Sequence, residues 1–187
     1  MSFASPLHTR IRRTLARLGL RPAGSAALKA GRDLAVRLIG PRITSLARLQ
    51  AVLRKSGTGA FAFHEAGELK GIFVFLLLNA AGRTALLADD FDGLAPDLGL
   101  LAGPSETPSA YYGWGFAGTS PAARTAVVMG ADALRRDVMM DIPFFCRAAT
   151  PAGRRAVTLK LGYRDFPGSR TGLLWSPPPG EDSRRAA

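Results

Sequence analysis

The stretch YYGWGFAGTSPAARTAVVMGA, Tyr111–Ala131, changes its hydrophobic period half-way along. Its first part alternates as a strand does, placing Tyr112, Trp114 and Phe116 on one face and Tyr111, Gly113 and Gly115 on the other. Glycines facing one way in a strand mark a close approach to the backbone, by a packed helix or by a ligand. Beyond Gly118 and Thr119, Ser120 and Pro121 form an N-cap and first-turn pair. Ala123, Ala126, Val127, Gly130, Ala133, Leu134 and Val138 then recur every three or four residues, which predicts a helix. A strand turning through glycine into a helix N-terminus presents amide hydrogens and the positive end of the macrodipole to an anion. Arg124 in the first turn opposes that dipole unless an anion sits nearby. The turn lacks the Gly-Lys-Ser/Thr of a Walker loop, and its glycines arise with the strand rather than opening the helix in a dinucleotide fingerprint.

Downstream, DIPFFCRAAT (141–150) reads as a buried strand. Thr150-Pro151 repeats the cap-plus-proline signal for a helix running to Leu161, which Gly162 ends. Short strands are expected at 163–166 and 172–175. Upstream, residues 6–19 and 25–39 form two basic amphipathic helices, and Thr44 or Ser45 caps a third that ends near Gly57. GAFAFHE (59–65) and LKGIFVFLLLN (69–79) read as a hairpin. Residues 80–83 are expected to turn into a third strand, TALLAD, and Pro96–Ala102 into a short helix. Asp89, Asp90 and Asp92 crowd a turn without the spacing or closing glutamate of a calcium loop, so no metal is expected. The order predicts an α/β or α+β layer: helices covering a mixed sheet.

Apolar residues make up 47% of the 187 and charged ones 21%, a globular balance. The longest apolar run, Ile72–Leu78, is far too short to span a bilayer. A lone cysteine, Cys146, excludes an internal disulfide or a cysteine-built zinc site, and a reducing, cytoplasmic setting fits. The net charge of +11 is localised: residues 1–55 hold twelve Lys or Arg against one acid, Asp33, whereas the remainder balances. The expected division is a basic helical arm (1–40), a main domain (41–176) and a disordered tail (177–187). Such an arm packs on its own domain, meets an anionic membrane surface or nucleic acid through residues 1–55, or serves as a transit peptide.

The strand, turn and helix of 110–138, the strand PFFCRAAT, and the helix TPAGRRAVTLKLGY with its Leu161-Gly162-Tyr163 ending resemble the core of the GNAT N-acetyltransferase superfamily over roughly residues 43–175. The resemblance implies a mixed, mostly antiparallel central sheet flanked by helices, and direct transfer from acetyl-CoA or another acyl-CoA to an amine acceptor. It implies that the pyrophosphate lies on Gly118, Thr119, Ser120, Ala122, Ala123 and Arg124, and that the pantetheine arm lies along Tyr112 to Ala117, Trp114 and Phe116 included. The family's Gln/Arg-x-x-Gly-x-Gly/Ala signature is not present in that form, because Ala122-Ala123-Arg124 stands there. Thr158 stands where the family often has a catalytic tyrosine, and Pro151 where it often has asparagine. The candidate bases are His64, Asp89, Asp90 and Glu68; Tyr111 or Tyr112 would protonate the leaving thiolate. Cys146, inside an apolar strand, reads as an inert thiol. The alternative is a catalytically silent protein of the same fold, binding an anionic membrane or nucleic acid through its arm.

Overall fold

The structure, a computed structural model, describes residues 5–178. Among them seven strands form one sheet: β1 (Leu20–Pro22), β2 (Ala60–Glu65), β3 (Glu68–Leu78), β4 (Ala110–Gly118), β5 (Phe144–Arg147), β6 (Arg164–Asp165) and β7 (Leu173–Ser176). Their spatial order is β1-β2-β3-β4-β5-β7-β6, and every neighbouring pair is antiparallel except β4 and β5. The helices are α1 (Pro6–Ala16), α2 (Ser25–Ile39), α3 (Leu46–Ser56), α4 (Ala80–Leu87), α5 (Pro121–Ala133) and α6 (Pro151–Leu161). The expected mixed, mostly antiparallel sheet with helices on it is therefore present.

Both faces of the sheet are covered, which is why β3 is apolar without alternation. Phe73, Phe75 and Leu77 join Ile11 and Leu15 of α1, Ala126 and Val127 of α5, and Val157 and Leu161 of α6. On the opposite face Ile72 and Val74 meet Leu28 and Leu34 of α2, while Leu76 and Leu78 meet Val52 of α3 and Leu86 of α4. The basic N-terminal segment thus shares the core. Ile11, Leu15 and Leu20 are fully buried, and β1 pairs with β2 from Leu20 opposite Phe63 to Pro22 opposite Phe61. This strand is absent from the sequence expectations; it is three residues long and ends in a proline that only an edge strand tolerates.

The capping signals survive folding. Ser45, Ser120 and Thr150 accept from the amides of Arg48, Ala123 and Gly153, and Gly57 and Gly162 end α3 and α6 at φ +70° and +69°. TALLAD is not a strand: its Thr84–Leu87 is helix, with Ala88 and Asp89 in the turn that follows. Asn79 caps α4 by accepting from the Gly82 amide at 2.9 Å, and a Cβ on Gly82 would lie 2.2 Å from the Leu100 carbonyl oxygen. That close approach docks α4 on a short 3₁₀ turn at Leu98–Leu100 and overrides the local strand preference. Of DIPFFCRAAT only Phe144–Arg147 pairs as a strand. α5 continues into a single π-helical turn at Leu134–Val138, where the Met139 amide reaches the Leu134 carbonyl. Of the tail expected at 177–187, only Pro177 and Pro178 lie within the described residues.

Candidate functional site

Strand β4 has two different edges. Toward β3 it is paired from Ala110 opposite Leu78 to Gly118 opposite Gly71. Toward β5 the pairing spans only Tyr111–Gly113 against Phe144–Cys146. Beyond Gly113 the two strands part, and the β5 side of β4 keeps backbone groups unpaired by any strand. At the same level β4 carries a bulge. Val74 lies opposite Gly115 but Phe75 lies opposite Gly113, so Trp114 is an extra residue without a partner on β3.

The bulge corrects the expected facing of the aromatic residues. Tyr112 and Trp114 share a face, whereas Phe116 lies on the other with Tyr111, its ring 5.1 Å from Phe73. A Cβ on Gly113 would sit 2.9 Å from the Phe116 ring, and one on Gly118 would sit 2.8 Å from the Arg124 amide nitrogen. These two glycines therefore admit the protein's own groups. Gly115 differs: a Cβ there meets only Val74, at 3.8 Å.

Two cavities open where β4 and β5 part. One, of about 390 Å³, lies between the strands and the starts of α5 and α6; it is lined by Gly113–Gly118, Arg124, Val127, Arg147–Thr150 and Gly153. The other, of about 330 Å³, lies under α2 and is lined by Arg32, Ile72, Val74, Tyr112 and Trp114 among others. Both are lined by Ile39, Trp114–Ala117, Arg147 and Ala149, so they meet at the bulge.

The turn before α5 spends most of its polar groups on itself. The Thr119 amide donates to the Lys70 carbonyl, and the amides of Ala123 and Arg124 donate to Ser120. In that first turn the Ala122 amide has no partner among the described residues, and the exposed Arg124 side chain is likewise unpaired. Ala123 is fully buried against Gly71. The structure thus brings Trp114, Phe116, Ala117, Gly118 and Arg124 to one cleft and Tyr112 to the other, while Thr119, Ser120, Ala122 and Ala123 shape the turn beside it.

Other expected residues stand elsewhere. His64 is exposed on β2 and lines neither cavity. Thr158 also lines neither; its hydroxyl donates to the Arg154 carbonyl at 2.9 Å. Glu68 forms a surface ion pair with Lys70 at 2.6 Å, which lowers its carboxyl below the ordinary value. Asp89 is a structural anchor rather than a base. It accepts from the Thr171 hydroxyl, the Arg170 amide, Ser169 and Arg147, and these bonds, that from Thr171 first, hold its carboxyl down at about 2. Asp92 caps its own turn by accepting from the Leu94 amide. No group of three or more metal-ligating side chains occurs among the described residues.

Two titratable groups at the clefts remain protonated. Burial raises the Tyr112 hydroxyl above its ordinary value, partly offset by Arg147, whose guanidinium lies 6.0 Å from the ring centre. Burial pushes the Cys146 thiol up to about 12, so it is no nucleophile at neutral pH. Tyr111 is fully buried between Phe75 and Phe144, and its hydroxyl has no hydrogen-bond partner among the described residues. Sequence reasoning missed Arg32, Arg147, Ala149 and Gly153 as lining residues. Thr150-Pro151 is a legible cap, but its convergence on the cleft depends on β5 lying parallel to β4.

No protein-family model matches the chain, and no curated protein matches it significantly. A crystal structure from Corynebacterium glutamicum, named histone acetyltransferase HPA2 and related acetyltransferase, is similar at 16% identity, covering 86% of this chain and 96% of that one with a TM-score of 0.48. No helix among the described residues is long and apolar enough to cross a membrane.

Proposed function

We propose that the chain is an acyl-CoA-dependent N-acyltransferase of the GNAT type, moving an acetyl or longer acyl group directly to an amine. One observation carries the proposal: the β4–β5 seam opens at a bulge, and cavities on either face of the sheet meet there. A direct transfer needs two substrates to arrive from opposite sides at one carbonyl carbon. In this reading the free edge of β4 pairs with the amides of the pantetheine arm as an added strand would. Arg124 and the Ala122 amide take the diphosphate at the start of α5.

The chemistry then follows from the groups present. A neutral amine attacks the thioester carbon, and backbone N–H at the Trp114 bulge faces the developing oxyanion. The C–S bond breaks, the thiolate takes the Tyr112 proton, and the proton lost by the amine restores the phenol. The products are an amide and free CoA. Acetyl-CoA at one hundred times its dissociation constant should stabilise the fold by about 2.7 kcal/mol, read as a thermal shift. Tyr112→Phe should keep that shift and lower thiol release by about a hundredfold. No shift with acetyl-CoA, longer acyl-CoA or CoA sinks the proposal.

One observation favours a second role. Arg12 and Arg13 on α1, Arg17 and Arg21 beyond it, and Arg37 on α2 are exposed although α1 and α2 pack on the sheet. As a silent binding protein the chain would retain phosphatidylglycerol vesicles or duplex DNA in a salt-sensitive way, and Arg12→Glu with Arg13→Glu would abolish this. Unchanged retention by that pair of substitutions excludes the arm as the partner surface.

A further inference from the structure

If the cleft between β4 and β5 holds the acyl donor, the cavity under α2 is left for the acceptor, and its lining restricts the acceptor's chemistry. Its walls are apolar, with Leu28, Ile39 and Ile43 facing Ile72, Val74 and Trp114. Its charged groups are all guanidinium: Arg32, Arg42 and Arg147. Arg147 is neutralised by Asp89 at 3.3 Å and also donates to Thr171. Arg32 and Arg42 are not neutralised. Arg32 donates its Nε to the Thr44 carbonyl at 2.9 Å, which fixes the guanidinium and leaves its two Nη groups without a carboxylate among the described residues. Arg42 has no hydrogen bond or ion pair among the described residues. Thr44 adds a buried hydroxyl without a partner among the described residues on the same wall.

No Asp, Glu or His among the described residues lines either cavity. A polyamine or a lysine side chain would therefore enter without a counter-charge, and nothing at the site would remove its proton, held with a pKa near 10.4. An α-amino group is less basic than a lysine side chain, and nearby guanidinium groups favour its free-base form further. We infer that the acceptor is an α-amino acid with a large apolar side chain. The side chain fills the apolar wall, the carboxylate sits on Arg32 with Arg42 and the Thr44 hydroxyl, and the amine faces the Trp114 bulge. A fixed guanidinium presenting two donors matches a carboxylate in bidentate fashion.

This inference rests on the acyltransferase reading, and two measurements on the full chain keep them apart. Calorimetric titration, with and without CoA, uses L-phenylalanine and L-leucine against L-phenylalaninol, which lacks the carboxylate, and L-lysine. Thiol release from acetyl-CoA uses the same four amines. Phenylalanine or leucine should bind and react, whereas phenylalaninol and lysine should be at least tenfold weaker in both. Arg32→Gln and, on the exposed rim, Arg42→Gln should each weaken phenylalanine about tenfold and leave the acetyl-CoA shift unchanged. The rate with phenylalanine should rise about tenfold per pH unit until its amine is fully deprotonated. Equal binding of phenylalaninol, absent binding of phenylalanine and leucine, or thiol release with lysine alone overturns the inference even where acetyl-CoA binds. Phenylalanine binding without an acetyl-CoA shift sinks the acyltransferase reading instead and leaves the carboxylate site standing.

Discussion

The two seams of β4 differ in kind. The β3 seam is antiparallel and paired from end to end of the strand except at Trp114, with Phe73, Phe75 and Tyr111 in ring contact behind it, Phe75 stacked 5.2 Å from Tyr111. The β5 seam is parallel, paired over three residues, and then open onto two cavities. One strand thus stabilises the sheet with one edge and leaves backbone unpaired by β5 on the other. The parallel partner makes this possible: β5 arrives through a long crossover containing α5, so its far end is held by α6 and the turn anchored on Asp89 rather than by a hairpin.

The contrast can be broken most severely at the closed seam. Phe75→Ala should cost about 3–5 kcal/mol, because a ring 1% exposed leaves a cavity between stacked neighbours, as a denaturant midpoint would show. Gly115→Val should cost less than about 1.5 kcal/mol in the free protein, since its Cβ has room, yet should remove the roughly 2.7 kcal/mol acetyl-CoA stabilisation by filling both cavities at the bulge. A Gly115→Val protein that still responds to acetyl-CoA would show that the open seam is not where the ligand lies. Ser120→Ala and Thr150→Ala should each cost about 1 kcal/mol through the lost cap.

The smallest effect is a pH signature of the turn bracing the open seam. The folded carboxyl of Asp89, at about 2, lies below its unfolded value near 3.9, so its contribution is complete above about pH 4 and fades as pH falls toward 2. Asp89→Asn should flatten the loss of stability over that window in acid titrations followed by circular dichroism. An unchanged acid limb would remove Asp89 as the anchor.

Much of this architecture is legible in the residues. The bounds of α6 follow from apolar period, cap and glycine stop, those of α2 from apolar period and the Gly40-Pro41 break, and the β2–β3 hairpin from its turn. The failures share a cause. Thr84–Leu87 becomes helix because Gly82 rests on the Leu100 carbonyl, and β1 forms because β2 offers it an edge. The Trp114 bulge flips Phe116 because β3 holds its own register against β4. Each depends on a neighbour distant in the chain.

Of the candidate site, the aromatic strand, the capped turn and Arg124 were readable because caps and periodicity act within a few residues. Tyr112 was readable as part of the aromatic strand, but His64 and Thr158 were named by type or position alone, and neither says where a side chain will face. What the sequence determined by itself was the local grammar: where helices start and stop, where the chain is apolar, where its excess charge resides. Only the tertiary structure decided that β4 and β5 run parallel and part after three residues, that Arg32 is pinned to the Thr44 carbonyl, and that two cavities meet at one bulge. Those are relations between segments brought together by burying apolar surface, and a force that is non-directional leaves no local signature of which surfaces will meet.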